Sequence, residues 1–110
     1  MKKITTFNEY DQYMHSLQAM FPVTENNKLN LFAFGLAEEC GEVLGKLKRR
    51  LREGGVSNQD ILLEMGDLLG YMSCLANELQ SDLQVVANLN IEKMEKRKLK
   101  NSLVGSGDNR

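Results

Sequence analysis

Carboxylates recur in pairs three residues apart at two places in the sequence. Glu39 and Glu42 lie in the stretch GLAEECGEVLGKLKRR, and Glu64 and Asp67 lie in EMGD. Residues three apart project from nearly the same side of an α-helix. Four carboxylates beside a hydrophobic seam would repel one another and lose hydration, and a hard divalent cation with oxygen ligands removes that conflict. The pattern therefore predicts a Mg²⁺ site, with Mn²⁺ as the other suitable ion, provided that helices hold these four residues together.

Four helical segments and no strand are predicted around these pairs. Their start signals are capping boxes at Thr6 with Glu9, Ser57 with Asp60, and Ser81 with Gln84. The second segment, from the region 25–30 to about Arg52, contains the first pair and ends at Gly54 and Gly55. Short connections between helices favour an all-α, four-helix bundle-like domain over residues 1–100. Residues 101–110 read as a polar tail.

Helical projection separates the three glutamates of the first stretch. The apolar stripe of the second helix contains Leu29, Ala33, Leu36, Cys40, Val43, Leu44, Leu47 and Leu51. Glu39 lies on the edge of this stripe, Glu42 lies just beyond it, and Glu38 lies nearly opposite. The third helix carries Glu64 and Asp67 beside its own stripe. If the two helices pack antiparallel, the pairs face each other. The competing interpretation is that each pair is an ordinary solvated flank, salt-bridged to Lys46, Lys48 or Arg49.

The fourth helix carries polar residues on a face otherwise suited to packing. Projection places Asn90 and Arg97 on that face and Lys93 at its margin. Buried polar groups need partners, and phosphate oxygens beside a carboxylate-held metal would supply them. The other interpretation pairs Lys93 and Arg97 with acidic residues, or extends them towards solvent near the helix end.

Composition excludes several classes of function. The 110 residues are 42% hydrophobic with a formal net charge of −1, which gives no electrostatic basis for binding nucleic acid or an anionic membrane. No apolar run is long enough to span a bilayer, and no apolar core follows the two N-terminal lysines, as a signal peptide would require. Cys40 and Cys74 are therefore expected to be reduced core thiols of a cytoplasmic protein.

The ordered set of motifs resembles the MazG-like all-α nucleoside triphosphate pyrophosphohydrolases. The family pattern E-x-x-E, a spacer and E-x-x-D is matched by the two carboxylate pairs, and NLNIEKMEKR matches its later asparagine, lysine and arginine. The resemblance covers about Thr6 to Arg110. The terminal GSGDNR is similar to tails of small phage and bacterial members. The tryptophan that stacks on the base in some relatives is absent from this sequence. The candidates for base stacking are therefore residues such as Phe7, Phe32, Phe34 and Tyr71.

The resemblance implies Mg²⁺-dependent hydrolysis of an NTP or dNTP at the α-phosphorus, yielding the monophosphate and pyrophosphate. It implies that Glu39 or Glu42 orients the attacking water, and that the four carboxylates hold the metal. The expected phosphate or sugar contacts are Lys46, Asn90, Lys93 and Arg97. Members of this kind form homodimers or homotetramers with sites near subunit interfaces.

Two other functions stay open at this stage. A non-catalytic helical oligomeric interaction module could use the acidic margin to bind a basic partner. A nucleic-acid patch at EKRKLK, residues 95–100, is the weaker option, because the run is short and has no aromatic platform.

Overall fold

The computed structural model describes residues 1–101, 103–105 and 107. Its α-helices are α1 (Phe7–Leu17), α2 (Glu25–Glu53), α3 (Asn58–Glu78) and α4 (Leu83–Leu99), with a 3₁₀ turn at Gln18–Met20 directly after α1. Within those described ranges there is no strand, which confirms the all-α class. None of the described helices combines the length and apolar character that crossing a membrane requires.

Capping residues define three of the helix ends as the sequence predicts. Thr6 caps α1, and Ser57 with Asp60 forms a complete capping box at α3, with N···O distances of 3.0 and 2.9 Å. The α2 helix ends at Gly54, whose φ of 76° is one that glycine adopts without a steric penalty.

The predicted cap of α4 is wrong. Asp82 is the N-cap, and its carboxylate accepts a hydrogen bond from the Val85 amide at 2.9 Å. Ser81 belongs instead to the end of α3, where its amide donates to the Ala76 carbonyl at 2.9 Å. The Gln80 amide donates to the Asn77 carbonyl, and the positive φ of Gln80 completes a Schellman-type ending. The chain therefore closes α3 first and opens α4 one residue later.

The α2 and α3 helices form a hairpin, and α1 packs against both α3 and α4. The hairpin is the part of the fold that matters most for the predicted site, since it carries both carboxylate pairs. The buried apolar side chains among the described residues are few: Phe32, Val56, Ile61, Cys74, Ala76 and Leu83.

A buried carboxylate ties α1 to the other helices. Asp11 is only 3% exposed, and it accepts hydrogen bonds from the Ser73 hydroxyl at 2.6 Å and the Leu83 amide at 2.9 Å. The Leu83 amide lies in the first turn of α4 and has no partner within its own helix. Asp11 therefore fixes where α4 begins relative to α1 and α3.

The apolar stripe predicted for α2 is not buried within one chain. Leu44 is 61% exposed and Leu51 is 91% exposed, and Cys40 is also exposed, so the prediction that Cys40 is a core thiol is wrong. Cys74 is buried as expected, and both thiols are free. The periodicity correctly identifies an apolar face, but within the described part of the chain the C-terminal half of that face stays largely exposed.

Candidate metal centre

Three carboxylates from the α2–α3 hairpin converge in the structure. Oxygen atoms of Glu39, Glu64 and Asp67 all lie within 4.8 Å of one another. Ligands of an octahedral Mg²⁺ at about 2.1 Å are separated by about 3.0 Å when adjacent and about 4.2 Å when opposite. Small side-chain movements would bring the three oxygens to those separations, so the residues present fit a hard divalent cation.

The surroundings of Glu39 raise the pKa of its carboxyl group. Its side chain is half-buried, and loss of hydration raises its pKa above the ordinary value. The negative charges of Asp67 and Glu64, followed by those of Glu38 and Glu42, raise the pKa further. Each cause favours the protonated carboxyl, and a bound cation would oppose all of them.

Lys46 already supplies one positive charge to this cluster. Its Nζ lies 2.7 Å from Oε1 of Glu64 and donates to the backbone carbonyl of Asp60 at 3.3 Å. The ion pair joins α2 to the first turns of α3. It is the kind of salt bridge that the competing interpretation of the sequence requires for a flanking carboxylate.

Glu42 and Glu38 lie outside the convergent group. Glu42 is exposed and is not among the three carboxylates whose oxygens lie together. Glu38 is exposed, as projection predicts. A role of Glu42 as metal ligand or as the residue that orients the water stays a prediction.

A cavity of about 400 Å³ adjoins the carboxylates. Its lining residues come from α1, the segment after it, α2 and α3: Tyr10, Met14, Leu17, Phe21, Glu39, Gly66, Asp67, Gly70, Tyr71 and Cys74. Glu39 and Asp67 are shared with the carboxylate cluster. The cavity is therefore apolar and aromatic over most of its wall and acidic at one side.

Of the aromatic residues considered for base stacking, Tyr71 lines this cavity. Phe32 is fully buried and packs edge-on against Phe21, and Phe7 and Phe34 are exposed and are not among the cavity's lining residues. Phe21, which the sequence pattern does not single out, lies with its ring centroid 6.5 Å from that of Tyr71. The Tyr71 ring fits because Gly35 faces it, and a Cβ at that position would overlap the ring.

The predicted contacts on α4 do not line the cavity. Asn90 is exposed in a groove between α1, α3 and α4, and Lys93 is exposed in a shallow depression on α4. Arg97 is only 6% exposed, and its Nη2 donates to the Gly107 carbonyl at 3.4 Å. Gly107 lies in the GSGDNR tail, of which residues 106 and 108–110 lie outside the described part of the chain. Lys46 thus contacts the carboxylate cluster, whereas these three residues are not among those that line the cavity beside it.

Comparison with known proteins gives two matches. Residues 28–101 match the family described as the MazG nucleotide pyrophosphohydrolase domain. The chain is also 39% identical over 87 residues to the Gene 37 protein of Mycobacterium phage L5, an alignment that covers 74% of this chain and 76% of the phage protein. No solved structure gives a significant match. The matched region includes all four carboxylates of the predicted pairs and the predicted contacts on α4.

Proposed function

Because the chain belongs to the MazG nucleotide pyrophosphohydrolase family, we propose that it hydrolyses an NTP or dNTP in a Mg²⁺-dependent reaction. Water adds to the α-phosphorus, the bond from that phosphorus to the bridging oxygen breaks, and the monophosphate and pyrophosphate are released. The observation that supports this most directly is the convergence of Glu39, Glu64 and Asp67 beside a cavity large enough for a nucleoside.

The chain's own residues have distinct parts in this proposal. Glu39, Glu64 and Asp67, together with Glu42, would hold Mg²⁺ or Mn²⁺. A bound ion would supply charge stabilisation at the phosphate oxygens and a lower pKa for bound water. Glu39 is our candidate to orient the attacking water and accept its proton, because its carboxylate belongs both to the convergent group and to the cavity wall, and Glu42 is the alternative.

The cavity suits the nucleoside part of the substrate. Tyr10, Phe21 and Tyr71 offer aromatic surface for a base. In this arrangement the phosphates would lie at the acidic side of the cavity, next to the metal held by the carboxylates. Lys46 is the phosphate contact nearest to the carboxylates, and Asn90, Lys93 and Arg97 are the further candidates on α4.

We include self-association, as a homodimer or homotetramer, in the proposal. The accessible surface is 8229 Å², whereas a compact monomer of this length exposes about 6,200 Å². The radius of gyration is 16.5 Å, against about 13 Å for a compact domain. The excess of roughly 2,000 Å² is within the range that an obligate interface removes from each partner. Leu44 and Leu51 supply an apolar surface for such an interface.

Assembly would also explain why the α4 contacts lie apart from the carboxylates in one chain. A second chain packed on the exposed hairpin face would bring further elements close to the site. Light scattering coupled to size exclusion tests the assembly: a mass of two or four chains supports it, and a monomer at micromolar concentration contradicts it.

The proposal places the protein in the cytoplasm, where nucleotides are available and where thiols such as Cys40 and Cys74 stay reduced.

A screen for pyrophosphate release over all NTPs and dNTPs, with and without Mg²⁺, tests the proposed activity. We expect release from at least one nucleotide only when the metal is present. If no nucleotide releases pyrophosphate and Mg²⁺ does not stabilise the fold, the alternative is supported, namely a non-catalytic helical module with an acidic surface.

A further inference from the structure

Lys46 forms an ion pair with Glu64, which is one of the three convergent carboxylates. The Lys46 and Glu64 side chains are only 24% and 18% exposed, so the pair is more protected from solvent than an ordinary surface salt bridge. Glu64 is at the same time one of the residues whose oxygens lie within 4.8 Å of Glu39 and Asp67. Lys46 is thus a cation bound where the proposed metal would need a ligand.

We propose that Lys46 is a placeholder cation that a divalent metal displaces from Glu64. The proposal rests on the metal site of the proposed function. Without metal, the ammonium group offsets part of the repulsion among the three carboxylates and holds Glu64 against α2. When a divalent ion takes up the Glu64 carboxylate, Lys46 gives up that contact.

Charge is the reason that the two cations compete. An ion about 2.1 Å from the carboxylate oxygen that Lys46 contacts at 2.7 Å would lie within about 5 Å of the ammonium nitrogen. Even with the dielectric constant of water, a single and a double positive charge at that distance repel enough to weaken metal binding about tenfold.

The chemistry of lysine also favours displacement over a role in orienting Glu64. An ammonium group is a compact point charge on a flexible stem, and Lys46 contacts a single oxygen of Glu64. A residue that fixed the carboxylate for metal binding would need a more directional contact, such as the two parallel hydrogen bonds that arginine makes. Lys46 therefore neutralises Glu64 without locking its orientation.

A second contact gives Lys46 a defined place after displacement. Its Nζ donates to the Asp60 carbonyl at 3.3 Å, one turn before Glu64 on α3. This hydrogen bond does not involve a carboxylate of the cluster, so it can persist when the metal binds. The displaced ammonium would then stay beside the site, where it is available to a phosphate group, and this reconciles the ion pair with the phosphate contact predicted for Lys46.

The test compares Mg²⁺ affinity and metal-free stability in Lys46→Met, in which the apolar stem is kept and the charge is lost. We expect the dissociation constant for Mg²⁺, measured by isothermal titration calorimetry on the full chain, to fall about tenfold. We expect the melting temperature of the metal-free protein to fall as well, because Glu64 loses its partner. Lys46→Arg should show no such gain in affinity, since it keeps the positive charge beside Glu64.

Lys48→Met is the matched control, because Lys48 lies two positions further along α2 and is exposed. It should leave both quantities unchanged. Unchanged or weaker Mg²⁺ binding in Lys46→Met would overturn the inference, and weaker binding would assign Lys46 to orienting Glu64. If the wild-type protein binds no Mg²⁺, the metal site of the proposed function is wrong. If the wild-type protein binds Mg²⁺ but Lys46→Met does not bind it more tightly, only the displacement of Lys46 is wrong.

Discussion

Replacement of Gly66 by alanine should make the protein more stable and less able to bind its substrate. Gly66 lies in the interior of α3, next to Asp67, and lines the cavity. A Cβ at this position would meet no atom of the described residues within 4 Å, so the fold accepts it without a clash. Alanine in a helix interior is favoured over glycine by about 1 kcal/mol. For a chain of 110 residues that gain raises the melting temperature by about 4 °C.

The same methyl group would narrow the cavity beside the carboxylates. Gly70, one turn further along α3, differs because its Cβ would lie 3.1 Å from the Met14 methyl carbon, which gives it a packing role. Gly66 has no such neighbour, so the space beside it is free for a ligand. Overfilling a fitted site costs about 1–3 kcal/mol, and we expect KM for the nucleotide to rise about tenfold in Gly66→Ala.

Thermal unfolding by circular dichroism gives the stability, and pyrophosphate release at varied nucleotide concentration gives KM. Gly45→Ala is the matched control. Gly45 lies in the interior of α2 and is exposed, and a Cβ there would lie more than 4 Å from every atom that the structure describes outside its own part of the helix. It should show a similar gain in melting temperature with KM unchanged. If Gly66→Ala is stabilised but keeps the wild-type KM, the cavity is not where the nucleoside binds.

Two further predictions concern the framework that holds the site. Asp11→Ala leaves the Ser73 hydroxyl and the Leu83 amide without their buried acceptor, so it should lower the free energy of unfolding by about 3 kcal/mol. Urea unfolding measures this free energy. A loss below about 1 kcal/mol would show that Asp11 does not anchor α4. The hydrogen bonds from Ser57 lower the pKa of Asp60 below its ordinary value, so the stabilisation from its charge is fully present above the ordinary pKa of an aspartate and is lost as the pH falls through the lowered folded-state pKa. Asp60→Asn should therefore melt several degrees below wild type at pH 7, with a smaller difference at pH 3, and a difference independent of pH would contradict this cause.

Local signals in the sequence were sufficient for the helices of the hairpin. The Ser57–Asp60 box and Gly54 act through contacts within a few residues, so the sequence alone defines them. The cap of α4 was mispredicted because Ser81 and Asp82 both suit an N-cap, and the Schellman ending of α3 uses the Ser81 amide. That choice depends on how α3 ends and not on residue type.

The part of the candidate site that lies on α2 and α3 could be predicted from the sequence. Spacing on α2 and α3 placed Glu39, Glu64 and Asp67 on facing margins, and the structure brings their oxygens together. Spacing left Lys46, Lys48 and Arg49 open as salt-bridge partners of these carboxylates. The contact between Lys46 and Glu64 depends on how far the two helices are shifted along each other, which spacing does not determine. It also could not reveal the cavity, whose wall includes Tyr10 of α1, a helix that reaches α3 only through tertiary packing.

The stripe on α2 shows a different limit of sequence reasoning. Periodicity identifies an apolar face but does not say which surface covers it. Leu44 and Leu51 follow the pattern of core residues, yet they are exposed in the single chain. Their partner, on the proposed assembly, is a second copy of the chain, and no pattern within one sequence specifies its position.

The central claim is that the convergent carboxylates form the metal site of a nucleotide pyrophosphohydrolase. The most direct test is the rate of Mg²⁺-dependent pyrophosphate release by wild type, Asp67→Asn and Glu38→Gln, with circular dichroism to confirm that each is folded. Asp67 is in the convergent group, whereas Glu38 is an exposed acidic neighbour of Glu39 that is not. The account predicts that Asp67→Asn loses at least about a hundredfold in rate, as loss of a charged group that acts on the transition state commonly costs, while Glu38→Gln keeps the wild-type rate. Full activity in a folded Asp67→Asn protein would contradict it.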